Sequence, residues 1–327
     1  MKHGSCCGLH TRRHLSSLSV AGVRVLWLVA MPEHFSVREV ASSVYACVAG
    51  ASQAAVGNAA IIDTGARTIV VDSFMTTVGA AELRLVAEQL TGRSVFMLVN
   101  THWHGDHTFG NQVFEDVSIV ATESTSRAIA SDTTSDLEAY GAELDGAIAS
   151  FEAMLKSDSQ AERIVAERRL RRLAFLRDDV GIFRMTLPNV LISGELVVED
   201  QRRIEILTYG GGHTDSDVFV WVPDARVVVT GDLGFHGKHP RMVDAHPAAW
   251  AEILRRILAL GPSTVIPGHG EPGDEDQLEL LVPYFEEAQA QLVDYGGDWA
   301  DVPLPAGTEE WDWDYHYSQG LKAIASR

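Results

Sequence analysis

The chain has 327 residues, of which 46% are hydrophobic and 22% charged, enough apolar material for one large buried core and too much for a disordered chain. Acidic residues (45) outnumber basic ones (26), and the resulting net charge of −19 repels phosphate backbones, which argues against general nucleic-acid binding. No apolar run approaches the roughly 20 residues that span a bilayer, and three cysteines, Cys6, Cys7 and Cys47, cannot staple a fold of this size.

Residues 1–30 carry Lys2, Arg12, Arg13 and Arg24 and no acidic side chain, whereas the rest of the chain holds all 45 acidic residues. Arg24 interrupts the apolar stretch from Val20 to Ala30, which speaks against a secretory segment. Residues 1–34 therefore read as a leader or disordered extension ahead of one domain at 35–327. A cytoplasmic protein is expected, with export through the leader as the alternative.

Val37 to Ala49 reads as a strand. Ala59–Asp63 and Thr68–Asp72 flank a Thr-Gly-Ala-Arg turn and read as a hairpin. A helix is expected at Gly79–Leu90, a strand at Val95–Asn100, another at Val117–Ala121, and a helix from about Thr125. From 135 to 180, Leu137, Tyr140, Leu144, Ile148, Phe151 and Leu155 recur at helical spacing, and Ser135/Glu138 and Ser159/Glu162 form capping patterns. Two inserted helices are expected, broken around Lys156–Gln160. They can cover a site or make a homodimer contact. The second carries Arg168, Arg169, Arg171 and Arg172, which read as a solvated face, with an anion site as the alternative. Strands follow at 190–192, 196–198, 203–207, 218–222, 227–230 and 264–266, with helices at 248–260 and 275–293. The aromatic tail (Trp299, Trp311, Trp313, Tyr315, Tyr317) reads as an anchor that pins the chain end at about 296–327, with the lining of a ligand site as the alternative. This order suggests two α/β halves packed sheet to sheet, with helices outside.

The chemistry concentrates in loops at strand ends. Thr101-His102-Trp103-His104-Gly105-Asp106-His107 puts three histidines and a carboxylate within six positions, and His102 and His104 share one side of an extended segment. His213 lies in Gly-Gly-Gly-His-Thr-Asp, Asp232 in Thr-Gly-Asp-Leu and His269 in Ile-Pro-Gly-His-Gly, each expected just past a strand. Imidazole and carboxylate donors suit Zn²⁺, Fe²⁺ or Mn²⁺, and loops at one sheet edge converge.

The loop His-x-His-x-Asp-His followed in order by Gly-His-Thr, Thr-Gly-Asp and Pro-Gly-His-Gly resembles the metallo-β-lactamase-fold hydrolase superfamily, over roughly residues 40–275. The resemblance implies an α/β fold, a four-layer αββα sandwich, with a dinuclear site between the sheets. His102, His104 and His213 would hold one metal, Asp106, His107 and His269 the second, and Asp232 would bridge them. Two Zn²⁺ per chain are expected, with Fe or Mn as alternatives. Asp72 and Asp217 are candidates for aiming ligand imidazoles, and His236 and His239 for touching substrate.

The implied function is a bacterial zinc hydrolase with a glyoxalase II-like ligand set, in which a metal-bridging hydroxide attacks an ester, thioester, lactone or lactam carbonyl of a small molecule and Asp106 moves the proton. Asp at position 232, where β-lactam-cleaving members usually have Cys or Ser, points toward thioesterases and lactonases. The alternative is a mononuclear iron thiol or persulfide oxygenase, or a metal-binding member without catalysis. No nucleic-acid or membrane partner is expected.

Overall fold

The computed structural model describes residues 15–20, 23–28, 32–50, 53–131, 137–296 and 298–327, of which 15–28 and residues 137 and 300 are described by backbone alone. Most of residues 1–34, the expected leader or extension, lie outside the described residues. Within it, β1 (Leu15–Val20) and β2 (Val23–Leu28) pair antiparallel as a separate two-stranded sheet.

Strand alternation builds the main core. A seven-stranded sheet runs in chain order through β3 (Ser36–Ala41), β4 (Val44–Val48), β5 (Ala59–Asp63), β6 (Thr68–Val71), β7 (Val95–Val99), β8 (Ser118–Thr122) and β9 (Val190–Ile192). It is antiparallel from β3 to β6 and parallel from β6 to β9. A five-stranded sheet follows with β10 (Glu195–Glu199), β11 (Arg203–Gly210), β12 (Asp217–Val222), β13 (Val227–Phe235) and β14 (Thr264–His269), antiparallel until the parallel β13–β14 pair. Each half is thus an antiparallel run closed by parallel pairing.

Alternate residues of one strand serve two cores. On β5, Ala60 and Ile62 face the other sheet and pack with Ile69, Val71, Ile206, Val218, Val220 and Ile266, whereas Ala59 and Ile61 face outward to Leu83 and Val86 of α1 (Thr77–Thr91). On the far side, the five-stranded sheet is covered by α6 (Pro247–Leu258), α7 (Asp276–Asp294) and α8 (Tyr315–Ala325), through Trp250, Leu254, Leu281, Phe285 and Tyr317. The layers are helix, sheet, sheet and helix.

Two short helices, α2 (Gly105–Thr108) and α3 (Glu123–Ser131), precede the insertion, which is an antiparallel pair, α4 (Leu137–Met154) and α5 (Gln160–Asp179). Arg177 near the end of α5 grips Asp145 in the middle of α4. Ser159 caps α5 by accepting from the Glu162 amide at 3.4 Å, while the Glu162 carboxylate turns back to the Ser157 hydroxyl. Ser135 lies outside the described residues. The α5 carboxylate of Asp179 accepts from the Thr77 amide at 2.5 Å and so caps α1, tying the insertion to the first half.

Two expectations are corrected. Val37–Ala49 is not one strand but the hairpin β3–β4, turned at Ser43, which sits in the left-handed region (φ 60°). Both arms alternate, so periodicity alone hides the turn. Likewise β13 and β14 do not stop at residues 230 and 266 but run on through Phe235 and His269. Their pairing shifts register on both sides of Gly231, and the bulge keeps the strand going while re-aiming Asp232.

Candidate metal centre

The site lies where β7, β11, β13 and β14 end or bulge, at one edge of both sheets. β7 gives way to buried Asn100 and Thr101, and the chain then presents His102 and His104. Asn100 and Asn111 exchange side-chain hydrogen bonds of 2.9 Å in both directions, which fixes this loop to the 3₁₀ segment Phe109–Phe114. α2 carries Asp106 and His107 on the following turn. His213 follows β11, whose last residue, Gly210, adopts φ 105°.

All seven residues come together, in two groups. One ligand atom from each of His102, His104, His213 and Asp232 lies within 4.8 Å of the others, and all four side chains are buried; Asp106, His107 and His269 form a second group by the same measure. In the first, His104 Nδ1 is 3.1 Å from His102 Nε2 and 2.9 Å from His213 Nε2. In the second, His269 Nε2 is 3.2 Å from Asp106 Oδ2. Asp232 stands between them. Its Oδ1 is 3.1 Å from His107 Nε2, and its Oδ2 is 3.3 Å from His213 Nε2 and 3.5 Å from His269 Nε2.

Backbone approaches make room for this crowding. A Cβ on Gly268 would sit 1.9 Å from Asp232 Oδ1, and one on Gly57 would sit 2.8 Å from His107 Nε2. Despite their closeness, His107 Nε2 and Asp232 Oδ1 are buried without a hydrogen-bond partner. Buried polar atoms in a folded core are normally satisfied. Two convergent sets of imidazole and carboxylate donors with unsatisfied atoms aimed inward fit divalent cations such as zinc.

Supporting groups set the imidazole tautomers. Asp72 Oδ2 accepts from His107 Nδ1 and from Thr101 Oγ1, each at 2.8 Å, and its Oδ1 accepts from the Thr101 amide at 2.8 Å. Because the Thr101 hydroxyl spends its proton on Asp72, its oxygen accepts from His102 Nδ1 at 3.0 Å. One carboxylate thereby leaves His102 Nε2 with a lone pair facing the site, and His107 Nε2 likewise once that ring has given up its second proton. Asp217 works differently. It accepts from the amides of Gly212, His213 and Thr214 at 2.8–3.2 Å and from the Thr214 hydroxyl at 2.8 Å, and so shapes the loop that carries His213. Burial pushes the Asp217 carboxyl up to about 7, against those four donors.

The two groups differ in electrostatics. Burial, reinforced by the charge on His107, lowers His102 and keeps it neutral, and burial does the same for His213. Burial would also lower His107 and His269, but Asp232 and Asp106 override it, raising His107 well above the ordinary value and His269 to about 9. Conversely, burial would raise Asp106 and Asp232, but the facing histidines hold both well below the carboxylate range.

The metallo-beta-lactamase superfamily model matches residues 53–269, more than half the chain and nearly the whole of the region just described. The chain belongs to this superfamily. Two curated members are similar over short segments: metallo-beta-lactamase type 2 of Bacillus cereus (29% identical over 87 residues, 23% of this chain and 32% of the relative) and that of Bacteroides fragilis (31% over 75 residues, 21% and 30%). The chain thus matches only about a third of the length of these relatives. A metallo-beta-lactamase from Pontibacter korlensis superposes with a TM-score of 0.56 at 17% identity, covering 77% of this chain and 99% of that one. The DIM-1 metallo-beta-lactamase does so at 0.55 and 19%, covering 78% and 98%. These structures show that the superfamily sandwich is shared.

Of the candidate substrate-contacting histidines, His239 is occupied elsewhere. His239 is fully buried, with Nδ1 3.0 Å from the Tyr284 hydroxyl and Nε2 3.1 Å from the Thr308 carbonyl, so both nitrogens pin the tail to α7 rather than face the site. His236 is exposed, its Nδ1 2.9 Å from the Glu271 carbonyl. Their motif neighbourhood suggested a pocket, and the loop after β13 does return to the site, through Arg241 and Asp244 at His104. Two further residues stand at the site, of which sequence reading missed Asp244 and offered Trp313 only as an alternative. Asp244 Oδ2 lies 3.1 Å from His104 Nε2 and accepts from Arg241 Nη1 at 2.8 Å. Trp313 stands edge-on to His269 with ring centroids 5.2 Å apart. A plain Asp in a Pro-rich loop gives no local signal. For Trp313, lining of a ligand site is the alternative to the anchor reading. Trp311 and Tyr317 do anchor the tail, against Tyr284, whereas Trp313 walls the site from a left-handed backbone (φ 70°).

Proposed function

We propose that this chain is a dinuclear zinc hydrolase acting on an activated carbonyl of a small molecule, an ester, thioester, lactone or lactam. The observation that carries this reading is the gathering of seven ligand-type side chains into two adjacent donor groups with Asp232 between them. His102, His104 and His213 would hold one ion, and Asp106, His107 and His269 the other. Bound there, two divalent cations supply Lewis acidity toward a carbonyl oxygen and lower the pKa of water to about 7.

The protein's own groups do the rest. Asp72 and Thr101 keep the Nε2 lone pairs of His107 and His102 inward, and Asp244 does the same for His104 Nδ1 from the other side. Asp106 is the most open of the ligand carboxylates, with 22% of its side chain exposed against 4% for Asp232. It takes the proton from the attacking water and delivers it to the leaving oxygen, sulfur or nitrogen. Phe235, stacked on His269 at 5.4 Å, and Trp313 keep bulk water from that face. The superfamily relatives named as β-lactamases put lactams among the candidate substrates. The acidic surface argues against nucleic acids, and no helix among the described residues is long and apolar enough to cross a membrane.

The test is metal analysis of protein purified without added metal, followed by a hydrolysis screen over acyl thioesters, esters, lactones and β-lactams. About two zinc ions per chain and turnover of at least one class are expected. One iron per chain with oxygen uptake on thiols or persulfides, or a zinc-loaded protein inert to every acyl compound, would overturn the reading.

A further inference from the structure

His269 of the second donor group packs against three rings, those of His107, Phe235 and Trp313, at centroid distances of 5.5, 5.4 and 5.2 Å. His107 and Phe235 are buried, and Phe235 also meets Trp250 inside the helix-covered core. Trp313 rests on the edge of that core but is only half-buried. Of the three, it is the ring that offers accessible surface to a molecule approaching this donor group. Beside it, Asp106 is the open carboxylate of the group, with 22% of its side chain exposed. The superfamily match ends at residue 269, so Trp313 belongs to the part of the chain that follows the shared domain.

The neighbouring backbone holds this ring in place. Asp312 pairs with the loop after β13 in both directions: its amide donates to the Gly237 carbonyl at 3.0 Å, and its carbonyl accepts from the His239 amide at 2.8 Å. Lys238, between those two residues, reaches the Asp312 carboxylate at 3.4 Å and lays its ammonium 4.7 Å from the centre of the Trp313 ring. Further on, the Trp313 carbonyl accepts from the His316 amide at 2.9 Å. Trp313 itself adopts φ 70°, which a bulky residue takes only where its surroundings over-determine it. Anchoring the tail does not call for this, because Trp311 and Tyr317 already tie it to Tyr284 and His239 ties it to Thr308.

We propose that Trp313 is a specificity-determining residue, a fixed aromatic wall beside the second donor group against which an aromatic leaving group packs, so that acyl compounds with aryl-bearing leaving groups are preferred over those with short alkyl ones. This rests on the hydrolase reading for its substrate class. In that reading Asp106 hands the proton to the leaving atom. His269 Nε2 is 3.2 Å from Asp106 Oδ2, so the ring packed on His269 borders the leaving group. A ring that is already immobilised gives up little freedom on binding, and ring-on-ring packing adds to the apolar area it covers.

The experiment uses the zinc-loaded full chain. Hydrolysis of S-benzyl or S-ethyl thioacetate adds water across the C–S bond and releases acetate with benzyl mercaptan or ethanethiol. The two thiols are therefore the leaving groups themselves, and they serve as probes in calorimetric titration. The parent protein is expected to bind benzyl mercaptan more tightly than ethanethiol. Trp313→Ala should lower that binding ratio about tenfold, and the benzyl-to-ethyl ratio of kcat/KM by a similar factor, mostly through KM for the benzyl compound. Trp313→Phe should recover most of both ratios, and Trp299→Phe, whose ring packs on Tyr295 elsewhere in the tail, should match the parent. A ring that only pinned the tail would change both compounds alike and leave the ratios as they were. Should Trp313→Ala fail to fold, Trp313→Leu keeps apolar bulk without the flat ring and carries the same expectation. Equal binding of the two thiols by the parent, or a benzyl preference that survives loss of the ring, overturns the wall and leaves the hydrolase reading intact. Ring-dependent binding of benzyl mercaptan without hydrolysis of any acyl compound upholds the wall and overturns the hydrolase.

Discussion

Replacing Asp72 by Asn tests how one carboxylate governs both donor groups. The substitution keeps shape, and Asn tolerates the left-handed backbone that Asp72 adopts (φ 61°), so the fold should survive. The change lies in hydrogen-bond direction. Asp72 Oδ2 accepts from His107 Nδ1 and Thr101 Oγ1, each at 2.8 Å. An amide nitrogen in that place donates instead. His107 must then accept at Nδ1 and turn an N–H toward the site, and Thr101, no longer donating to Asp72, no longer fixes the proton on His102 Nδ1. Losing a charge-assisted bond costs about 1.5–3 kcal/mol, and outer-sphere partners of metal ligands typically carry about 10- to 100-fold in affinity. Competition against a chromophoric zinc chelator should therefore show both binding steps weakened by about 10- to 100-fold in Asp72→Asn, and only one weakened in Thr101→Val. The reasoning fails if Asp72→Asn binds both ions as the parent does, or if Thr101→Val disturbs both steps equally.

Other consequences follow from the same geometry. Gly268→Ala, whose Cβ would lie 1.9 Å from Asp232 Oδ1, should displace that carboxylate and lower zinc content measured by atomic absorption, while leaving far-UV circular dichroism close to that of the parent. His239→Ala removes a buried ring and its bonds to Tyr284 and Thr308, and should cost about 2–4 kcal/mol in urea unfolding without loss of zinc, since it holds the tail and not the metals. In metal-free protein, burial would lower His269 but Asp232 and Asp106 raise it to about 9, above its ordinary 6.5. The stability from that pairing is complete below pH 6.5 and is lost as pH rises through about 9, so metal-free protein should melt lower at the alkaline end of that window. Zinc uptake at neutral pH should accordingly release about two protons per chain, from His107 and His269, detectable with an indicator dye.

The donor set was legible in the residues because metal chemistry restricts side-chain type sharply and because glycines mark the points where backbone must approach a crowded centre. The hairpin at 59–72, the inserted helix pair and the two-halved sandwich were equally legible, since β-branched runs, turn residues and helical spacing are local signals. Where strands ended was not. β13 passes its expected end at Thr230 because a bulge at Gly231 breaks the ladder without breaking the strand.

What the sequence by itself determined is which atoms can bind metal and in which layers the chain folds, both consequences of short-range chemistry. What only the tertiary structure decided is partnership across long separations: Asp72 serving His107 and, through Thr101, His102; Asp244 behind His104; His239 buried as an anchor; Trp313 beside His269; and Arg169 and Arg172 half-buried while Arg168 and Arg171 face water. A side chain's type sets what it can do, but the packing of sheets, tail and insertion sets what it meets, and neighbours separated by 35 to 140 positions leave no local trace in the chain.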